Sequence, residues 1–198
     1  MREGSGLKCV FVDTASFVRE YLTPLFGSTV EEALTRRYEV LVCSGLFSEA
    51  YLLSGPVAAV ARRLMRSGRV PYMAGAYVGR VRRSRPRLIP SADFLSLIYS
   101  LLGRPVRAVV VGLEGLKPFL YGRDVLRASV RGCFDPLGRG EVAGVVGEDG
   151  LVYGVGLASV NSCRELGRLG GEDVVVRNVF DVGWFVRGSS GRERKFKV

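Results

Sequence analysis

Histidine is missing from all 198 residues. Without it neither a Ser-His nor a Cys-His nucleophile can be assembled. The four cysteines, at 9, 43, 133 and 163, form no Cys-x-x-Cys pair. A zinc site would have to gather four scattered thiolates, so buried free thiols and no metal are expected. The longest apolar stretches, 50–61 and 108–113, are short and interrupted, well below the roughly 20 residues that cross a bilayer. The opening MREGSGLKCVF has no signal-peptide core. These absences point to a soluble, cytoplasmic protein with no membrane partner. Phosphate loops are missing too: there is no Gly-Lys-Ser/Thr, and Gly154-Val155-Gly156 lacks the third glycine and the helix start of a dinucleotide loop. A methyltransferase cofactor turn is not found. No enzyme is expected, and no cofactor.

What is present is apolar residues and arginine. Hydrophobic residues make up 47% of the chain, enough for one packed domain or two small ones. The net charge is +10, and with lysine only at 8, 117, 195 and 197, 25 of the 29 cations are arginine. Arginine's planar fork suits bidentate phosphate contacts and stacking on bases. GC-rich codon usage or a thermophilic host would also favour it, so placement says more than amount. Between Glu49 and Asp93 there is no acidic residue, yet nine arginines fall there, at 62, 63, 66, 69, 80, 82, 83, 85 and 87. A solvated face normally mixes signs. A basic surface of Arg62, Arg63, Arg66, Arg80, Arg82, Arg83 and Arg85 is therefore expected.

Periodicity places these arginines on elements. Residues 14–26 show helical spacing, with Pro24 ill-suited to a helix interior, so a first helix should end near Leu22. Tyr38 to Cys43 and Leu46 to Leu53 read as two strands of a hairpin across Ser44-Gly45. Ser54 and Pro56 open a helix stopped by Gly68, with Val57, Val60, Ala61 and Leu64 as its apolar stripe and Arg62, Arg63 and Arg66 on the outer side. Gly75 to Arg83 follows as a strand whose alternation separates Ala76, Val78, Arg80 and Arg82 from Tyr77, Gly79, Val81 and Arg83. Ser91 caps a core helix over 92–102.

Gly103-Arg104-Pro105 marks a boundary. The expected domains are 1–103, 104–187 and a basic flexible tail, 188–198, that adds nonspecific phosphate attraction. Val106 to Val111 should be a buried strand. KPFLYG then reads as a helical turn with a glycine stop, followed by a strand over 124–130 that would place Arg123, Arg127 and Arg131 on one side. Phe119 and Leu120 should plug the core, with Tyr121 undecided. Glu141 to Val146 and Leu151 to Ala158 form a hairpin across Glu148-Asp149-Gly150. Gly154 and Gly156 suggest tight bending or the close approach of another backbone or a nucleotide, bending being the commoner cause.

The order FLYG, the glycine-punctuated strand Val152 to Gly156, Asn161-Ser162-Cys163-Arg164 and DVGWFVR at 181–187 resembles the NIP-seven family of large-ribosomal-subunit biogenesis factors. GAYVGRVRRSRPRLIPSADFL, at 75–95, continues the likeness, which extends over residues 38–187. The chain departs from the family between Cys163 and Val174, where Gly167, Gly170 and Gly171 suggest a longer loop. The resemblance implies an α+β chain: an N-terminal α/β domain with an antiparallel sheet and flanking helices, then a PUA β-barrel that binds RNA. It implies an RNA groove at Lys117, Tyr121, Arg123, Arg127 and Arg131, to which Arg164, Arg168 and Arg177 are added. The implied partners are rRNA or pre-rRNA, including uridine-rich single strands stacked on Tyr77 or Tyr121. Ribosome-biogenesis or exosome-associated proteins are the alternative partners, for an adaptor role of the first domain.

Overall fold

The computed structural model describes residues 8–45, 47–71, 74–82 and 87–185, with Phe185 described by its backbone only. Arg83, Arg85, the basic tail 188–198 and residues 1–7 lie outside the described residues. The chain divides into two compact units, one ending at Leu102 and the other beginning at Gly103.

In the first unit, β1 (Lys8–Val12) leads to Asp13, whose carboxylate accepts the Ser16 N–H at 2.8 Å and caps α1 (Thr14–Phe17). A π-helical turn (Val18–Leu22) and α2 (Thr23–Phe26) continue it, so the helical segment does not stop at Leu22. Pro24 falls in the first turn of α2, where a missing N–H costs nothing. Then come α3 (Thr29–Thr35), β2 (Tyr38–Ser44), β3 (Ser48–Ser54), α4 (Gly55–Arg66), β4 (Ala76–Arg82), β5 (Arg87–Pro90) and α5 (Ala92–Leu102). The strands form one antiparallel sheet in the order β1-β2-β3-β4-β5. Val40 to Cys43 and Ala50 to Leu53 are buried without alternation because helices cover both faces: α4 on one, α1, α3 and α5 on the other. Ser91 Oγ accepts the Phe94 N–H at 3.0 Å, the expected cap of α5.

Two side-chain assignments in this unit change. The core face of α4 is centred on Ala58 and Ala61, packed with Leu41, Tyr51 and Leu53. Val57 and Val60 point outward, Val60 at 61% exposure. The two small alanines let the helix sit close to the sheet and turn the valine edge to solvent. In β4 the register with β3 slips between Ala50 and Tyr51. This bulge breaks the expected alternation, and Tyr77 and Arg80, assigned to opposite faces, both reach the Glu49 carboxylate.

The second unit runs β6 (Ala108–Val111), α6 (Leu113–Leu120), β7 (Val125–Leu126), a 3-10 turn (Arg127–Ser129), β8 (Val130–Phe134), β9 (Val142–Gly147), β10 (Val152–Ala158), a 3-10 turn (Cys163–Arg168), β11 (Val174–Asp181) and a last 3-10 turn (Val182–Phe185). Its sheet, β7-β11-β10-β9-β6-β8, curls into a half-barrel, with β6 and β9 parallel and the other pairs antiparallel. Val109, Val111, Phe119, Val145 and Val175 are among the side chains that fill it. A Cβ on Gly154 would strike the Phe180 carbonyl, and one on Gly156 the Arg177 carbonyl. Close approach of β11 is thus one reason for both glycines, alongside the register irregularities on either side of them.

The cysteines are not free thiols. Cys9 is bonded to Cys43, its direct partner across β1 and β2, and Cys133 on β8 is bonded to Cys163. Separations of 34 and 30 residues hide the pairs in the sequence; strand register and the fold of the 159–173 loop bring them together. No helix among the described residues is long and apolar enough to cross a membrane.

Candidate nucleic-acid interface

The KPFLYG segment is a helix end tied down from several directions. Phe119 is fully buried, Leu120 packs against the same core, and Gly122 takes φ 81° so that the chain can turn. The Gly122 N–H donates to the Phe119 carbonyl at 2.8 Å and the Arg123 N–H to the Pro118 carbonyl at 3.1 Å; both satisfy carbonyls left open at the helix end. From β11, the Asn178 amide donates to the carbonyls of Phe119 (3.0 Å) and Arg123 (3.4 Å) and to Asp181 Oδ2 (3.3 Å), while its backbone N–H donates to Asp124 Oδ1 at 2.8 Å. Gly183 lies so close to the Leu120 carbonyl that a Cβ there would collide with it.

From this fixed turn Lys117, Tyr121 and Arg123 project into solvent, Tyr121 at 72% exposure. Among the described residues neither Lys117 nor Arg123 has an ionic partner. Both charges are available to a ligand.

The other cations differ. The strand expected over 124–130 is broken by the 3-10 turn at Arg127–Ser129, so Arg123, Arg127 and Arg131 are not in a regular row. Arg127 is half-buried, with its Nε donating to the Leu166 carbonyl at 2.8 Å. Arg131 pairs with Glu114 on α6 and donates to the Ala128 carbonyl at 3.0 Å. Arg164 and Arg168 are exposed on the 3-10 turn that starts at Cys163. Besides the disulfide, the Cys163 N–H donates to Asp135 Oδ1 at 2.9 Å, and Glu165 accepts two bonds from Asn161 at 3.0 Å. Those bonds hold the Glu165 carboxyl below its ordinary pKa, with Arg139 and Arg168 adding to the effect. Arg177 is exposed in the middle of β11.

The eight expected RNA contacts therefore differ in their partners: Arg127 and Arg131 are engaged by the protein itself, whereas Lys117, Tyr121 and Arg123 face solvent. Lys117, Tyr121 and Arg123 sit by the Asn178–Asp181 end of β11, whereas the Arg127 N–H bonds to the Asp173 carbonyl beside its start. The residues that fix the turn lie outside the expected site: Asn178, together with Asp181 and Gly183 of the DVGWFVR motif. A lone asparagine inside the apolar run VVVRNVF was their signal.

In the first unit, the basic run borrows acids from outside itself. Arg62 forms a two-point pair with Glu39 of β2, one bond at 2.9 Å, and covers the Phe11 ring at 4.1 Å. The bonds from Arg62 lower the Glu39 pKa. Arg80 lies 3.8 Å from Glu49 and 4.2 Å from the Phe47 ring centre. Arg63 and Arg66 are exposed without ionic partners among the described residues, and Arg82 is exposed. Tyr77 is no open stacking surface: its ring packs on Tyr51 at 5.4 Å, and burial together with Glu49 pushes its hydroxyl pKa up.

A half-barrel whose opening strand is followed by a glycine-stopped helix agrees with the family comparison. Residues 107–190 match the UPF0113 PUA domain.

The second unit is a PUA domain.

PUA is a known RNA-binding fold. No curated protein matches the chain in sequence. Among solved structures, a hypothetical protein from the hyperthermophilic archaeon Pyrococcus horikoshii OT3 is 18% identical with a TM-score of 0.59, over 90% of this chain and 99% of that one. A PUA domain from Aeropyrum pernix K1, in a tartrate complex, is 17% identical with a TM-score of 0.55, over 89% and 87%. A conserved PUA domain protein from Thermoplasma acidophilum is 13% identical with a TM-score of 0.53, over 89% and 95%. Both units take part in these likenesses, which concern the fold.

Proposed function

We propose that the chain is a non-catalytic RNA-binding protein that takes single-stranded or structured RNA on its PUA domain and serves in rRNA processing or assembly of the large ribosomal subunit. The observation that carries the RNA reading is the fixed turn presenting an exposed Tyr121 between Lys117 and Arg123, two cations without ionic partners among the described residues. Arginine and lysine hold phosphate, and an exposed ring accepts an unpaired base. The assembly role rests on the motif order shared with the NIP-seven family. A cytoplasmic place belongs to the same proposal, and structural disulfides inside cells are a feature of hyperthermophiles. The lack of histidine supports the non-catalytic part. Fluorescence anisotropy of a uridine-rich strand against salt tests the reading. Binding with a steep salt slope supports it, and no binding at low salt overturns it.

One observation favours a second role for the first unit, as an adaptor for ribosome-biogenesis or exosome-type proteins. The outer edge of α4 exposes Val57 and Val60 next to Arg63 and Arg66. Phosphate has no use for valine, whereas an acidic protein segment with apolar anchors would use both. If V60S/R63S leaves RNA affinity intact while releasing a co-purifying protein, that role holds; loss of RNA affinity instead assigns the face to RNA.

A further inference from the structure

Trp184 is the chain's one tryptophan, and it is 53% exposed on the 3-10 turn Val182–Phe185. Burying it would gain more than burying almost any other side chain, so its position at the surface needs a reason. Among the described residues of the second unit Phe119 is buried, Phe134, Tyr153 and Phe180 are half-buried, and Tyr121, at 72%, is the other exposed ring. The backbones carrying Trp184 and Tyr121 are held against each other. Gly183 abuts the Leu120 carbonyl, and on the same strand end Asn178 binds the Phe119 and Arg123 carbonyls and Asp181. Standard backbone dimensions then put the Cα atoms of Tyr121 and Trp184 within roughly 10 Å of each other.

Two exposed rings on neighbouring rigid segments, with Lys117 and Arg123 beside them, make a surface that is aromatic and cationic at once. An apolar protein partner would match the rings and leave the charges unanswered; a mononucleotide would engage only part of it. A single-stranded RNA offers both features, π faces at successive bases and a phosphate between them. We infer that Trp184 and Tyr121 form a stacking pair for unpaired nucleobases of an RNA whose phosphates are held by Lys117 and Arg123. This rests on the RNA-binding reading and adds to it a residue and a ligand class: the strand must be single and must carry bases.

Because Trp184 is the sole tryptophan, its emission reports on its own ring. The intact chain is titrated with a fluorescently labelled oligouridylate octamer and with an abasic ribose-phosphate octamer, following tryptophan emission and anisotropy together. The expected result is quenching by oligouridylate that saturates with the anisotropy signal, and little quenching by the abasic strand. Trp184→Ala and Tyr121→Ala should each weaken oligouridylate binding by about 5- to 100-fold, the usual worth of one base–aromatic stack. Trp184→Phe, which keeps a ring, should retain most of the affinity. Should oligouridylate bind without changing the emission, or bind no better than the abasic strand, the stacking pair is wrong while the RNA reading stands. Failure of both strands to bind the intact chain overturns the RNA reading and this inference with it. The titration of the intact protein decides the matter even where the alanine variants fold poorly.

Discussion

The side-chain amide of Asn178, on β11, donates at 3.0 Å to the main-chain carbonyl of Phe119, the fully buried residue at the end of α6. Through that bond and those to Arg123 and Asp181, one polar residue joins the strand, the helix end and the turn that presents Tyr121. Asn178→Ala would remove the side-chain bonds to Phe119, Arg123 and Asp181 while the Phe119 carbonyl keeps the Gly122 N–H, so the loss should be about 0.5–1.5 kcal/mol, the net worth of a hydrogen bond. Urea denaturation of the variant should show a destabilisation of that size. A change of only a few tenths would mean that the turn is held by packing alone.

Lys117 and Arg123 are the cations at the turn with no ionic partner among the described residues, so they should contribute most to the salt dependence of binding. Replacing both by alanine should reduce the log-log salt slope by roughly 1.4, at about 0.7 per phosphate neutralised on a single strand. Arg127→Ala, by contrast, removes a bond to the Leu166 carbonyl. Its expected signature is lower stability with an unchanged slope.

Glu114 holds Arg131 on the surface of the PUA domain. Glu114→Gln should release the guanidinium and strengthen RNA binding, with a steeper slope, whereas Arg131→Ala in the original chain should change affinity little. The two variants, measured side by side, show whether the pair restrains the arginine.

Glu165 gives the loop a dependence on acid. Its bonds from Asn161 lower its pKa in the folded state. A depressed folded value means that the stabilisation is fully present above the ordinary glutamate pKa and is lost as pH falls through the folded one. Thermal unfolding followed through the acid range should therefore fall off less steeply for Glu165→Gln than for the unaltered chain.

The Cys133–Cys163 bond closes a segment of 30 residues, and by loop-closure entropy its removal should cost about 3–4 kcal/mol. Cys133→Ser/Cys163→Ser, compared with the parent by denaturation, checks this. The same variant should lose any share of RNA affinity that depends on the placement of Arg164 and Arg168.

Much of this architecture was legible in local sequence signals. Ser91 as a cap, Gly103 as a stop, the two hairpins and the buried run of β6 follow from local rules that tertiary contacts here reinforce. The misreadings share a cause, namely dependence on a partner distant in the chain. The bulge in β4 arises from its register with β3, and the neutralised arginines from acids on β2 and β3. The paired cysteines stand 34 and 30 residues apart. Arg127 was legible as a cation, but its engagement by the Leu166 carbonyl, 39 residues on, was not. The exposure of Tyr121 is not legible, because the sequence says where a helix stops and not which way its last ring points.

Each unit contains two cysteines, bonded to each other. Four cysteines in one chain permit three pairings, and the one found keeps each bond inside a single unit. Neither covalent link crosses the Leu102–Gly103 boundary, so reducing one bond removes a constraint from its own unit and leaves the other unit's bond in place.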